Sequence, residues 1–293
     1  KPYKLFHILK PGRHGLSKNR VFPFFPNADN LLFLFILMLT GVVVTGLFRD
    51  PVTMHLPLML APPSPDMPFG TDHLGRDIFA RVAHGMIWDL LLSVSVVSVS
   101  AVIGITLGLF AGYIGSWLDN LIILLMDVLM SLPHIVLAMV IMMYLSYGTV
   151  ALIIALAVTG WVKYARIIRG LTYSIREQDF ITCERVIGAG PLFIISRHIF
   201  PNVFPAVVGL AALHLGHTML SIAALGFLGL GLQPPAPEWG TMIMESRPYI
   251  MRAPWTALFP GLFIFLFIAV FTVTGRLLDR RFNPARGTHA DHT

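Results

Sequence analysis

Six long apolar segments constrain this chain more than any other feature of its sequence. A membrane-spanning helix needs about 20 predominantly apolar residues. The segments that qualify lie at 30–48, 88–113, 121–146, 149–167, 203–231 and 257–278. Only 12% of the 293 residues are charged, against roughly 25% in soluble proteins. The sequence therefore predicts an all-α polytopic membrane protein with six transmembrane helices, and with both termini on the same side.

The distribution of Lys and Arg predicts which side faces the cytoplasm. Of the 21 basic residues, 16 lie in three segments. These are the leader, the segment that follows the fourth span from Lys163 onward, and the C-terminal end from Arg276. Cytoplasmic segments carry an excess of Lys and Arg, so both termini are predicted to be cytoplasmic. The net charge of +6 is then explained by topology, and no nucleic-acid partner is expected.

The spans divide the chain into successive regions. The first apolar segment has no cleavage signal after it and is interpreted as a retained helix. A surface helix is predicted from about Arg76, and the single cysteine, Cys183, excludes an internal disulfide. The predicted regions are a cytoplasmic leader 1–29, a first helix 30–48, a periplasmic segment 49–87, a five-helix core 88–278 with coupling helices 171–201 and a periplasmic loop 232–256, and a cytoplasmic tail 279–293.

One charged segment, DFITCERVIGAGPLFIISRHIFPN, interrupts the apolar runs at 179–202. Its pattern predicts a helix over 175–187, a sharp turn at Gly188, and a second helix over 192–200 that starts after Pro191. Such a helix–turn–helix knob suits docking into a groove of a soluble partner. The pattern equally fits a cap that closes the helix bundle at the membrane surface.

This segment resembles the EAA-type coupling loop of ABC-transporter permeases. Two further motifs are similar to the dipeptide/oligopeptide/nickel family: FGTDHLGRDIFAR at 69–81 and LGFLGLGLQPPAPEWGTMI at 225–243, where Gly226 replaces a more usual Ser. The coupling segment departs from the family pattern at its first acidic position, which is Asp, and at one small-residue position, which is Glu. The residues that match the coupling positions are Asp179, Cys183, Glu184, Gly188, His198 and Pro201.

The resemblance implies an inner-membrane permease subunit of a bacterial ABC importer with the type I permease fold. The implied partners are a second, homologous permease, two cytoplasmic ATPases, an external substrate-binding protein and the surrounding membrane lipid. The chain has no phosphate-binding loop, so ATP and Mg²⁺ are expected on the ATPases, and neither a cofactor nor an enzymatic activity is expected here. An ion-driven secondary transporter and a non-transporting scaffold are the alternatives from other classes.

Polar residues within the spans are the candidates for a substrate pathway, because placing them in lipid is unfavourable. LGHTML and PEWGTMIMESRPYI look closer to nickel-type permeases, which favours nickel or a metal chelate over a dipeptide or oligopeptide. His214 and His217 lie three residues apart on one helix face, and imidazole suits nickel, so His217 is the metal-contact candidate. Interhelical hydrogen bonds or a structural ion pair are the alternative roles. The full candidate set is His214, His217, Met219, Asp127 and His134.

Charged residues of the periplasmic segments are candidates for contact with the binding protein. Two groups are singled out because they lie in the family-like motifs. Local ion pairs that hold the loops in place are an equally good interpretation of the first group. The candidates are Asp72, Arg76, Asp77, Glu238 and Trp239.

Overall fold

The structure is a computed structural model that describes residues 40–145 and 148–282, with side chains through residue 278. The predicted leader, most of the predicted first span and most of the predicted tail lie outside the described residues. The described part is built of α-helices, and α1 occupies 40–47. The others are α2 Ile78–Ile114, α3 Ser116–Ser131, α4 His134–Tyr144, α5 Thr149–Arg176, α6 Asp179–Val186, α7 Pro191–Ile194, α8 Phe200–Phe227, α9 Trp239–Ser246 and α10 Trp255–Phe282.

Four helical segments in the described part are long and apolar enough to cross a membrane. They are α2, α5, the continuous Pro191–Phe227 segment that contains α7 and α8, and α10 as far as Leu278. Each coincides with a predicted span. The total of six spans and the side on which the termini lie stay predictions.

The predicted span 121–146 is not one straight helix, because the chain forms two helices there. The axes of α3 and α4 are bent by 95° at the break between Ser131 and His134. Pro133 precedes α4, and Leu132 before it is extended, with φ −102° and ψ 141°. A proline disfavours helical geometry in the residue before it, which explains the break within a uniformly apolar stretch.

In the region of α2 the sequence predicts a short surface helix followed by a separate span, whereas the structure has a single helix. It is one helix of 37 residues that is capped by Asp77, whose carboxylate accepts a hydrogen bond from the Phe79 amide at 2.9 Å. At 1.5 Å per residue it is about 55 Å long, well beyond the ~30 Å of a bilayer core. It contains no proline, so nothing in its sequence ends the helix at the predicted boundary.

A stripe of glycines joins α2 to α5. Gly104, Gly108 and Gly112 repeat every fourth residue and are buried. A Cβ atom at Gly108 would lie 2.8 Å from the Ala165 carbonyl oxygen. Small residues at this spacing let two membrane helices approach closely, so the stripe sets the distance between the two central helices.

The two ends of α2 carry different structures, which we name the α9 end and the α6–α7 end. At the α9 end, the buried Trp239 donates its indole N–H to the Val82 carbonyl at 2.9 Å. Helix α9 lies within the predicted loop 232–256, which the sequence did not divide into elements. At the α6–α7 end, Ile181 and Ile194 are fully buried in a cluster with Tyr164 of α5.

Candidate functional site

The helix–turn–helix predicted at 175–202 is present, with shifted boundaries. Helix α5 continues to Arg176, so the first short helix, α6, starts only at Asp179. Gly188 has φ +89°, a backbone conformation that glycine adopts without penalty. Pro191 then occupies the first turn of α7, where its missing N–H is harmless. The turn chemistry is as predicted.

The second short helix does not end before the next span. A π-helical turn over Ile195–Ile199 links α7 directly to α8. Pro201 lies in the first turn of α8, and the helix continues through Pro205. The segment from α6 through this turn therefore forms a knob whose second half is the end of a membrane helix.

The knob has a buried base and an exposed apolar tip. Ile181, Ile194 and Ile199 are fully buried at its base. Around the glycine turn the situation reverses, because large apolar side chains are exposed. They are Val186 at 82%, Ile187 at 78%, Leu192 at 69% and Phe193 at 52% exposure.

The predicted coupling residues surround this tip. Asp179 and Cys183 are exposed on α6, and Pro201 is exposed at the start of α8. Glu184 and His198 lie close together, with 3.3 Å between Glu184 Oε1 and His198 Nε2. This contact links α6 to the turn that precedes α8, so the two halves of the knob are held together across the glycine turn.

The knob also contacts the end of α2. The Arg176 guanidinium donates to the Tyr113 carbonyl at 2.9 Å, and the Arg185 guanidinium lies 5.3 Å from the centre of the Tyr113 ring. These contacts join the end of α5 and helix α6 to the last turn of α2. The knob is thus anchored to the last turn of α2.

A cavity of about 150 Å³ opens among α2, α4, α5 and α8. His214 is buried, and its Nδ1 lies 3.1 Å from the Tyr164 hydroxyl oxygen. His217 lies one turn further along α8 and is exposed to the cavity. The polar residues that line the cavity include His134, Thr159, Lys163, His214, His217 and Ser221.

The cavity gathers three of the five predicted pathway residues, the three histidines. Met219 instead packs in the core beside the Ser93 hydroxyl, which lies 3.8 Å from its sulfur. Asp127 lies on the exposed side of α3 and accepts a hydrogen bond from Arg166 at 3.1 Å, which matches the alternative of a structural ion pair.

Sequence reasoning missed Lys163 as a cavity residue. The distribution of Lys and Arg predicts a cytoplasmic position for Lys163, whereas it lies near the middle of α5. The signal was available: a lone ammonium group within an otherwise apolar run is unfavourable in lipid and points to a function. The remaining basic residues preserve the predicted excess on the same side.

At the α9 end, two arginines and two carboxylates form a buried network. Arg76 Nε donates to Asp72 at 2.6 Å, and Arg76 Nη2 donates to Glu245 at 3.0 Å. Arg81 Nη2 also donates to Glu245, at 3.2 Å. Both arginine side chains are 1% exposed, so each charge depends on its partner for compensation.

A second buried carboxylate fixes α9 itself. Glu238 accepts hydrogen bonds from the amides of Gly240 and Thr241, at 2.7 and 2.8 Å, and thereby caps the start of the helix. Burial raises the pKa of the Glu238 carboxyl above its ordinary value of 4.5, against the lowering by these hydrogen bonds. Asp89 of α2 accepts from the Trp239 amide at 3.2 Å, which ties α9 to α2.

The residues predicted to dock a binding protein are thus buried within the chain. Each of the five side chains engages a partner from its own chain, as in the Arg49 to Asp77 ion pair at 3.0 Å. This agrees with the alternative interpretation of local ion pairs. Direct docking through them is unsupported, because every one is buried: Asp72, Arg76, Asp77, Glu238 and Trp239.

Among the described residues, the side chains are poorly arranged to coordinate a metal ion. The one group whose ligand atoms converge there is Asp72, His73 and Glu245, within 4.8 Å of one another. The Arg76 guanidinium already donates to both carboxylates, so a metal ion would meet positive charge at close range. The histidines of the cavity do not form such a group within the described part of the chain.

Comparison with known proteins identifies the family. Residues 104–284 match the family described as "Binding-protein-dependent transport system inner membrane component". The chain belongs to this family. It is a permease subunit of an ABC importer, a multi-pass protein of the inner membrane and not an enzyme. The ion-driven carrier and the scaffold considered from the sequence are thereby set aside.

Relatives of the permease carry peptide-related names. The permease is 40% identical over 222 residues to the dipeptide transport system permease protein DppC of Alkalihalophilus pseudofirmus. The match covers 76% of the permease and 73% of that relative. It is 37% identical over 241 residues to the di/tripeptide transport system permease protein DppC of Pseudomonas aeruginosa, covering 80% of each. It is 42% identical over 216 residues to the glutathione transport system permease protein GsiD of Escherichia coli, covering 74% and 71%.

A solved structure supports the fold. The permease resembles a chain from inward-facing conformations of the MetNI methionine ABC transporter, with a TM-score of 0.53 and 18% sequence identity. The match covers 67% of the permease and 94% of that chain. The likeness concerns the fold, and it agrees with the predicted type I importer permease architecture.

Proposed function

We propose that this permease forms half of the passage for short peptides in an ATP-driven importer. The observation that carries the proposal is the set of relatives, each at least 37% identical over more than 70% of both chains and named for dipeptide, di/tripeptide or glutathione transport. The lack of converging metal ligands in the described part of the cavity supports the same choice. Peptides thus replace nickel or a metal chelate as the favoured substrate.

The assembly we propose has a second, homologous permease, two ATPases and an external binding protein. The cavity of about 150 Å³ is lined by helices α2, α4, α5 and α8 of this chain, and another subunit would complete the pathway. The distribution of Lys and Arg favours cytoplasmic termini and puts the knob in the cytoplasm. ATP and Mg²⁺ would then bind to the ATPases, and alternating access would move the peptide.

The knob is the proposed contact with an ATPase. Its tip exposes four large apolar side chains and is framed by the charged groups of α6, a combination that suits insertion into a groove on a soluble protein. Exposed apolar patches usually mark interaction sites. The apolar tip therefore favours contact with a partner over a cap that only closes the helix bundle at the membrane surface.

Uptake into proteoliposomes that contain the complete importer tests the proposed function. Labelled dipeptide and radioactive nickel, the latter with and without a small chelator, are supplied with the binding protein, and ATP is enclosed with the ATPases. We expect ATP-dependent accumulation of the dipeptide and none of nickel. Accumulation of nickel without dipeptide would overturn the peptide assignment and leave the permease role intact.

Omission of the enclosed ATP is the matched control for this assay. A dipeptide signal that persists without ATP, and that follows an imposed proton gradient, would contradict ATP-driven coupling. His217→Ala adds a second comparison on the same vesicles. If the metal hypothesis held, this substitution would reduce nickel uptake and leave dipeptide uptake unchanged.

A further inference from the structure

Lys163 differs from every other basic residue of α5. Arg166 pairs with Asp127 at 3.1 Å, Arg169 with Asp119 at 2.6 Å, and Arg176 with the Tyr113 carbonyl at 2.9 Å. Within the described part of the chain, Lys163 has no carboxylate within 4.0 Å, and it is exposed to the cavity. Helix α5 thus pairs all its arginines and leaves one ammonium group unpaired near its middle.

The surroundings of Lys163 add groups that can form hydrogen bonds. The cavity is also lined by His134 from α4 and by His214 and His217 from α8. Hydroxyl groups of Thr159 and Ser221 complete the polar lining, and no carboxylate lines the cavity among the described residues.

Such a lining fits an anion of the size of a carboxylate group. An unpaired ammonium at the depth of the membrane core is expected to face either water or an anionic partner. The cavity holds about 150 Å³, well above the ~10–15 Å³ that a single water molecule needs on this measure. It can therefore take a carboxylate and one small side chain, and the remainder of a peptide would extend toward the other half of the pathway.

We propose that Lys163, together with His217 and His134, forms a subsite for the C-terminal carboxylate of a passing peptide. This inference rests on the proposed peptide transport function and deepens it. Lys163 supplies the charge, while the two imidazoles supply hydrogen-bond donors from α8 and α4. Gly160, one turn before Lys163, lets α5 pack closely beside this site, because a Cβ there would lie 2.6 Å from Ser100 Oγ and 3.0 Å from His214 Cε1.

Equilibrium binding to the detergent-purified complex of both permeases and both ATPases tests the subsite without the binding protein. The probes are a labelled dipeptide and the same dipeptide with an amidated C-terminus. We expect the free acid to bind at least about tenfold more tightly than the amide, which is typical of a charge-assisted hydrogen bond. Lys163→Gln should remove this preference, and Lys163→Arg should keep most of it.

Arg166→Gln is the matched control, because it removes a neighbouring charge that already has a carboxylate partner. It should leave the acid preference unchanged. Equal binding of acid and amide to the wild-type complex, absence of binding of both, or a preference that survives Lys163→Gln would each overturn the subsite. A complex that no longer assembles with Lys163→Gln but does with Lys163→Arg would show that Lys163 pairs with the second permease, which also overturns it.

The uptake assay separates failure of this inference from failure of the proposed function. Dipeptide uptake that is ATP-dependent in the wild type but indifferent to Lys163→Gln would leave peptide transport standing and dismiss the subsite. Absence of dipeptide uptake in the wild type would dismiss the peptide assignment itself.

Discussion

At the α9 end of the bundle charged side chains are buried, whereas at the α6–α7 end large apolar side chains are exposed. At the α9 end, Arg76 and Arg81 are buried and form ion pairs with Asp72 and Glu245. At the α6–α7 end, apolar side chains such as Ile187 stand in the open. Both segments are polar interruptions between apolar helices, so composition alone does not distinguish them.

The difference teaches which end is complete within this chain. A buried ion network provides its own partners, and its side chains are unavailable to another protein. An exposed apolar tip on a well-anchored base lacks a partner, and another subunit can supply it. The comparison therefore predicts that substitutions at the α9 end act on stability, whereas substitutions at the knob act on coupling.

The largest effect is expected for Gly188→Pro in the knob. Proline requires φ near −65°, whereas Gly188 has φ +89°, so the tip must rearrange. We expect ATP-dependent uptake to be abolished, and the ATPases to be lost on purification, with membrane insertion intact. Gly190→Ala is the control, because Gly190 has φ −72° and open space around it. Normal uptake by Gly188→Pro would contradict the coupling role of the knob.

At the α9 end, Arg76→Met should destabilise the fold severely. It leaves Asp72 and Glu245 with less positive charge in a buried site, and removal of one partner from such a network lowers the free energy of unfolding by about 3–5 kcal/mol. Thermal unfolding of the detergent-purified chain measures the loss. The exposed Arg247, which stacks on the Phe227 ring, provides the control Arg247→Met, with an expected loss of about 1 kcal/mol or less. Equal losses would break the contrast between the two ends.

Glu238 makes the stability of the α9 end depend on pH. Its pKa in the folded protein is raised above 4.5, so the folded state binds more protons than the unfolded state in the interval between the two pKa values. Its contribution to stability is full below about pH 4.5 and is lost as the pH rises through the folded pKa, by ~1.4 kcal/mol per unit of pKa difference.

The corresponding variant is Glu238→Gln, which cannot ionise. Between about pH 4.5 and 7.5, its melting temperature should decline less than that of the wild type. The comparison of the two proteins reports the titration of Glu238 together with its effect on the neighbouring Asp89 carboxylate. If the melting temperatures of the two proteins declined in parallel over this pH range, the pKa of Glu238 would be the same in the folded protein as in water.

The smallest effect is expected for Glu184→Ala in the knob. Glu184 and His198 are each about one-quarter exposed, at 26% and 25%, and a partly exposed pair contributes about 1 kcal/mol or less. The substitution also restores the small residue that the family pattern has at this position. Uptake and melting temperature should stay near wild type. A large loss of uptake would assign Glu184 a direct contact with the ATPase.

The features that the sequence predicted correctly are those that depend on local chemistry. The turn at Gly188 and Pro191 follows from backbone preferences of two residues, and the four long helices follow from uninterrupted apolar runs. The break at Pro133 was missed because its flanks are as apolar as any span. Helix α9 was missed because the prolines before it marked a loop, and its Glu238 cap is recognisable only with the burial known.

Residues of the cavity were harder to predict, because they come together from separate helices. His134, Lys163 and His217 lie on α4, α5 and α8 and are distant in sequence. Their grouping depends on the glycine stripe that sets the α2–α5 distance and on the bend that turns α4 toward α8. Pro133 encodes the bend beside His134, but the glycine stripe lies on α2, far in sequence from Lys163, so local sequence does not predict that Lys163 lies with the histidines.

The length of α2 has a mechanical consequence. Its first turns are locked to α9 through Trp239 and the Arg81 to Glu245 contact, and its last turn is held by Arg176 and Arg185. A proline-free helix of 37 residues behaves as a rod, with no joint at which the two ends could move independently. We therefore expect a tilt imposed at the knob to be transmitted along α2 to the α9 end, with this helix acting as the lever between the two ends.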